Sequence, residues 1–128
     1  TEKIWDSSLP NIAILWVMTR ARSRLAAYFE AVYPPFWRRE LDIEDISIVE
    51  ACLDEAGVGV DGFREFAEGE GRQLHDELQP QFHSNGIFGV PTYVLADEIL
   101  FGREHIPYLR WALTGHQGVA PDIAYEIA

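Results

Sequence analysis

The stretch GIFGVPTYVLADEILFGREHIPYLRWAL, residues 86–113, decides the fold. It reads as strand, turn, strand and helix. From Pro91 to Ala96 the residues are β-branched and aromatic. Asp97-Glu98 forms a tight polar turn and Ile99-Leu100-Phe101 answers it, which is the pattern of a β-hairpin. Gly102 breaks the second strand. Glu104 falls in the first turn of a last helix lined on its inner side by Ile106, Leu109 and Leu113, and Gly115 ends that helix. Pro91 is the anomaly. It follows β-branched Val90 at the mouth of a strand, where a residue without an N–H cannot donate to the ladder. Periodicity alone makes it a trans proline opening an edge strand.

Towards the N-terminus the pattern is helical. Asp6, Ser7 and Ser8 offer N-cap chemistry and Pro10 suits a first turn. Ile12, Leu15 and Trp16, then Leu25, Ala26, Phe29, Val32 and Tyr33, follow at helical spacing. The basic segment TRARSR between them bends or breaks the helix, and Pro34-Pro35 ends or kinks it. Phe36 and Trp37 resume an apolar face. Asp45 or Ser47 caps a short helix from Ile48 to Ala56, with Ile48, Val49, Cys52 and Leu53 inside and Gly57 as its left-handed cap. Asp61 opens another, with Phe63 and Phe66 inside. A further helix spans about Glu70 to Ser84, with Leu74, Leu78 and Phe82 as its inner stripe, a bend at Pro80 and a stop at Asn85-Gly86.

The chain has 128 residues, one domain by length, and a formal charge of −11. A surface this acidic argues against nucleic acid and anionic membrane as partners. No apolar run is long enough to span a bilayer, and TEKIWDSSLPN is not a secretory signal. A lone cysteine, Cys52, excludes an internal disulfide and a Cys-x-x-Cys site and is compatible with a reducing cytoplasm, the expected location. His75, His83, His105 and His116 show no ligand spacing, so no metal is expected.

A helical block followed by Gly-Val-Pro-Thr (89–92), a second strand and Phe-Gly-x-acid (101–104) resembles the C-terminal portion of a thioredoxin-like family. That family holds the 2-hydroxychromene-2-carboxylate isomerases, the kappa-class glutathione transferases and their DsbA-type relatives. The resemblance covers residues 9–115 and includes ELDIEDISIVEACLDEAG, similar to the family's helical insertion. It implies an α+β, mostly α chain: a helical insertion-type region (1–86), a thioredoxin-like β-β-α unit (87–115) and a tail (116–128). This would be a partial thioredoxin-like fold lacking the N-terminal β-α-β unit.

The resemblance also gives Pro91 a role. It implies a cis Val90–Pro91 bond that turns the Val90 N–H and C=O outward, to pair with the cysteinyl backbone of glutathione or with a substrate peptide. It implies a second binding element at Arg103-Glu104, where the family's acid meets the γ-glutamyl amine. Here the acid is Glu rather than Asp, and Arg103 replaces a small polar residue. The plainer alternative is that Glu104 only complements a helix dipole, worth a few tenths to about 1 kcal/mol.

The family's reactive Ser or Cys lies at the start of its first strand–helix unit, and nothing before Leu9 matches that unit. Ser7 and Ser8 read as caps and Cys52 as a buried small hydrophobe, so no catalytic residue is assigned in this chain. Arg20, Arg22 and Arg24 either face a carboxylate-bearing aromatic substrate or form a solvated, ion-paired face. Trp5, Trp16, Trp37 and Trp111 read as mostly core.

Three functions remain open: part of a glutathione-linked isomerase or transferase, part of a DsbA-type oxidoreductase, or a non-catalytic helical module. Apolar faces a two-stranded hairpin cannot cover suggest a homo-oligomer. The pure 128-residue protein is expected to show no isomerase, transferase or disulfide-reductase turnover. Turnover that disappears in Cys52→Ala would overturn this assignment.

Overall fold

The computed structural model describes residues 3–121, which divide into two compact units, one ending at Gln79 and one beginning at Pro80. The first holds α1 (Ser8–Arg20), a 3-10 turn (Arg22–Arg24), α2 (Leu25–Trp37), α3 (Ile46–Glu55), α4 (Phe63–Glu68) and most of α5 (Glu70–Ser84). The second holds the end of α5, β1 (Thr92–Leu95), β2 (Glu98–Phe101), a 3-10 turn (Arg103–His105) and α6 (Ile106–Leu113). The chain is mostly helical with one antiparallel two-stranded sheet among the described residues, an α+β fold. The tail from 116 lies partly outside them.

The core of the first unit follows from helical spacing. Ile12, Ala13, Trp16 and Val17 of α1 are buried against Tyr28, Ala31 and Val32 of α2 and Val49, Cys52 and Leu53 of α3. Phe63 and Ala67 of α4 close the cluster. Two polar tips buried with it are satisfied: the Trp16 indole N–H donates to the Gly59 carbonyl at 2.8 Å, and the Tyr28 hydroxyl donates to the Pro10 carbonyl at 3.1 Å. Ile48, assigned to the inner stripe, sits at the surface instead, because burying Val49, Cys52 and Leu53 (i, i+3, i+4) turns position 48 outward.

The chain does break at TRARSR, in a 3-10 turn, but α2 passes through Pro34 and Pro35 to Trp37. A proline inside a helix removes one N–H and strands the carbonyl four residues back. For Pro35 that carbonyl belongs to Ala31, and the Cys52 thiol lies 3.7 Å from it as a weak donor. The helix ends two residues later, when Arg38 and Glu40 donate to the Pro34 and Pro35 carbonyls at 3.2 and 3.0 Å. Trp37, expected in the core, is 75 % exposed. At the other end of the unit, Asp6 rather than Ser7 or Ser8 caps α1: its carboxylate accepts from the Ser8 N–H at 2.8 Å, and Ser7 makes no side-chain cap bond.

Helix α5 has the expected bounds, but its burial centres on other residues of nearly the same face, with Leu78 only half-buried. It buries Gly71 and His75, while Leu74 and Phe82 are 37 % and 43 % exposed. The cause is Gly71. A Cβ there would overlap the Phe66 ring and stand 2.8 Å from Ile12, so the helix makes its closest approach at the bare backbone of Gly71, and Leu74 is left at the surface. Nor is the assumed inner side of α6 buried: Ile106 and Leu113 are exposed and no α6 residue is fully buried.

Leu53→Ala is expected to lower the unfolding free energy of the first unit by about 2–5 kcal/mol, against less than about 1 kcal/mol for Leu74→Ala. Urea unfolding followed by tryptophan fluorescence checks this. Equal losses would show that the α5 stripe is core after all.

Candidate functional site

The second unit is organised by one register: Thr92 opposite Phe101, Tyr93 opposite Leu100, Val94 opposite Ile99, Leu95 opposite Glu98. The two-residue turn is therefore Ala96-Asp97, with Ala96 at φ 51°, and Glu98 belongs to β2 rather than to the turn. Positive φ at the first loop position matches the twist of the flanking strands. The next pair in register is Pro91 with Gly102, and the Gly102 N–H donates to the Pro91 carbonyl at 2.9 Å. Opposed residues of this type normally exchange two bonds. Proline has no N–H to return the second, so the ladder ends here with half a pair.

The Val90–Pro91 peptide bond is cis. Among the described residues neither main-chain polar group of Val90 enters a main-chain hydrogen bond, and Val90 is 88 % exposed. Because the Pro91–Gly102 pair is a bonded one, alternation makes Tyr93 and Leu95 the bonded residues of β1. The N–H and C=O of Thr92 and Val94 then point away from β2, along an edge with no third strand among the described residues. Packing holds this edge in place. The Thr92 hydroxyl donates to the Gly89 carbonyl at 2.5 Å, and the Phe88 and Phe101 rings lie 4.8 Å apart. A Cβ on Gly89 would stand 2.8 Å from the Phe101 ring, so glycine is what admits the ring there.

Arg103 and Glu104 lie at the same end of the hairpin, brought there by the Pro91–Gly102 bond. Both are exposed and both belong to the 3-10 turn, not to the first turn of α6, which begins at Ile106. Pro107, which suits a helix's first turn, explains where α6 can start. The Glu104 side chain folds back over Gly102, whose backbone (φ 104°, ψ 153°) is open to glycine alone. The end of the hairpin thus presents an unengaged main-chain strand edge, a carboxylate and a guanidinium. That set can pair with a peptide-like ligand carrying both an ammonium and a carboxylate.

Spacing gave no sign of a further pair: the Tyr108 hydroxyl donates to Glu98 at 2.8 Å. That bond to the carboxylate holds the Tyr108 phenol above its ordinary range. His105, one residue on from Glu104, is buried.

The chemistry-bearing residues of the first unit are quieter. Cys52 is buried, and burial pushes its thiol up, which leaves little thiolate to react. Arg20 stacks on the Trp16 ring at 4.0 Å. None of Arg20, Arg22 or Arg24 forms an ion pair among the described residues. No cluster of His, Cys, Asp and Glu among the described residues has the geometry to hold a metal ion. No helix is long and apolar enough to cross a membrane.

Comparison with known proteins agrees with this geometry. Residues 2–114 match the model of a DSBA-like thioredoxin domain. Over 100 residues the chain is 25 % identical to a 2-hydroxychromene-2-carboxylate isomerase of Sphingobium xenophagum, covering 77 % of this chain and 50 % of that protein. The chain therefore spans about half the length of the curated relative it matches. No solved structure matches.

Gly102→Ala is expected to destabilise the second unit by about 1–3 kcal/mol, since alanine does not reach that backbone region and its methyl would displace the Glu104 side chain. Amide hydrogen exchange at Tyr93, Leu95 and Leu100 reads the loss. Unchanged protection would show that the end of the ladder does not hold the hairpin.

Proposed function

We propose that this chain, which belongs to the DSBA-like thioredoxin domain family, supplies the ligand-docking edge of a glutathione-linked isomerase or transferase of the 2-hydroxychromene-2-carboxylate isomerase type. The observation that carries the reading is the exposed, unengaged main chain of Val90 beside Pro91. Glutathione is an extended tripeptide with main-chain donors and acceptors, and an open strand edge binds such a ligand by adding it as a further strand. Its γ-glutamyl ammonium finds a carboxylate in Glu104, and Arg103 offers a charge-assisted bond to a carboxylate of the ligand. Pro91 and the bond from Gly102 keep the two elements in fixed relation.

Glutathione also brings its own thiol. The buried Cys52 argues against a nucleophile from the described residues, and against the DsbA-type oxidoreductase alternative being carried by them. A small aromatic carboxylate would be the second substrate of such an enzyme, and a reducing, cytoplasmic compartment would keep the thiol available. A further reading has support from a specific feature. Phe88, Val90 and Val94 are exposed along the open edge, so two copies of the chain can pair there as a homo-oligomer.

Titration of the protein with reduced glutathione, followed by amide resonances, is expected to shift Val90, Thr92 and Glu104 and to weaken several-fold in Glu104→Gln. No shift at Val90 at millimolar glutathione would overturn the docking role. Sedimentation showing a monomer at all concentrations would overturn the pairing of copies.

A further inference from the structure

The first unit contains a cleft of about 160 Å³ at the start of α1, lined by residues of the Trp5 segment, α1, α2 and the loop after α2. We propose that this cleft is a binding site for an uncharged, single-ring aromatic molecule of phenol size, held by the helical unit alone. Five rings shape it: Trp5, Tyr28, Phe29, Tyr33 and Phe36. Two pairs of them meet edge-on, Trp5 with Phe36 at 5.9 Å and Phe29 with Tyr33 at 5.6 Å, a geometry that aromatic rings favour with one another and with a further ring.

Size limits the guest. An engineered apolar cavity of about 150 Å³ takes up benzene, so the space inside this cleft matches a single ring. The lining also carries two polar side chains, the Ser7 hydroxyl and the Asn11 carboxamide. Neither has a hydrogen-bond partner among the described residues. Apolar walls with a few polar groups are the usual make-up of a small-molecule site, the polar groups fixing orientation. The Tyr28 hydroxyl is not available for this, being committed to the Pro10 carbonyl.

Charge selects against anions. Asp6 stands in the chain between the lining residues Trp5 and Ser7, and Glu44 follows lining residue Ile43. The two are tied together, the Asp6 N–H donating to the Glu44 carboxylate at 2.8 Å. Hydrogen bonds from Ser8 hold the Asp6 carboxyl below its usual range, so it stays ionised. The cations beside them are already engaged: Lys3 is paired with Glu44 at 2.7 Å and lies over the Trp5 ring, and Arg72 acts on the Asp6 carboxylate. A ring bearing a carboxylate meets like charge, whereas a neutral ring with one hydroxyl does not. The ligand class thus differs from the carboxylate in the relative's name, and the inference stands apart from the glutathione reading.

The test uses the 128-residue protein with phenol as probe and benzoate as control. Phenol is expected to give intermolecular NOEs to the methyl groups of Ile14 and Ile43, with benzoate at least about tenfold weaker. Val32→Phe, which puts a ring into the cleft, is expected to abolish the phenol NOEs while far-UV circular dichroism stays unchanged. Absence of NOEs in the wild-type protein overturns the site whatever the variant does. Benzoate binding as well as phenol overturns the charge selection. A glutathione titration leaves these signals unmoved, so the two functional readings stand or fall separately.

Discussion

A single missing hydrogen atom shapes the second unit. Had residue 91 an N–H, its pair with Gly102 would exchange two bonds and the ladder could run on towards Val90 and Arg103. With proline there, only the Gly102 N–H to Pro91 carbonyl bond forms, at 2.9 Å. That half-pair is enough to bind the start of β1 to the end of β2, and Val90, like Thr92 and Val94, falls at a non-bonded position whose main-chain groups β2 does not use. The same residue thus ends the ladder next to the edge that alternation leaves open. Gly102 is the necessary counterpart, since its backbone conformation lets the chain leave β2 and brings Arg103 and Glu104 to the same end.

The first unit shows another way of living with proline. A stranded carbonyl in a dry interior costs about 1–3 kcal/mol when nothing donates to it. The Ala31 carbonyl meets this by facing the Cys52 thiol of α3, and the helix keeps its course through two consecutive prolines. The tolerance of α2 for Pro35 therefore depends on a residue in a different helix.

This explains which parts of the structure were legible in the sequence. The hairpin was, because a period of two with β-branched and aromatic residues admits few other readings, and the GVPT motif drew attention to Val90 and Pro91. The bounds of α5 were legible from Glu70 and Asn85-Gly86. Its buried face was not, because the pattern weighs side chains and the deciding residue, Gly71, has none; its effect appears only once Phe66 and Ile12 are beside it. The run of α2 through Pro34-Pro35 was not legible for a related reason, since the cost of a proline depends on a donor elsewhere in space. At the hairpin end the place of Arg103 and Glu104 just after β2 was legible but their 3-10 turn was not, because a 3-10 turn and an α-helix share the same signals over three residues. The cleft among five rings was read simply as core, since aromatic spacing does not reveal where packing leaves room.

The thiol beneath Pro35 has one more consequence. Its sulfur sits among Ala31 and the apolar side chains of three helices, beyond the reach of water-borne reagents while the helices stay together. Oxidation or labelling of that atom needs the helices to part first. An irreversible label found on this one sulfur thus records that the helices around it have parted.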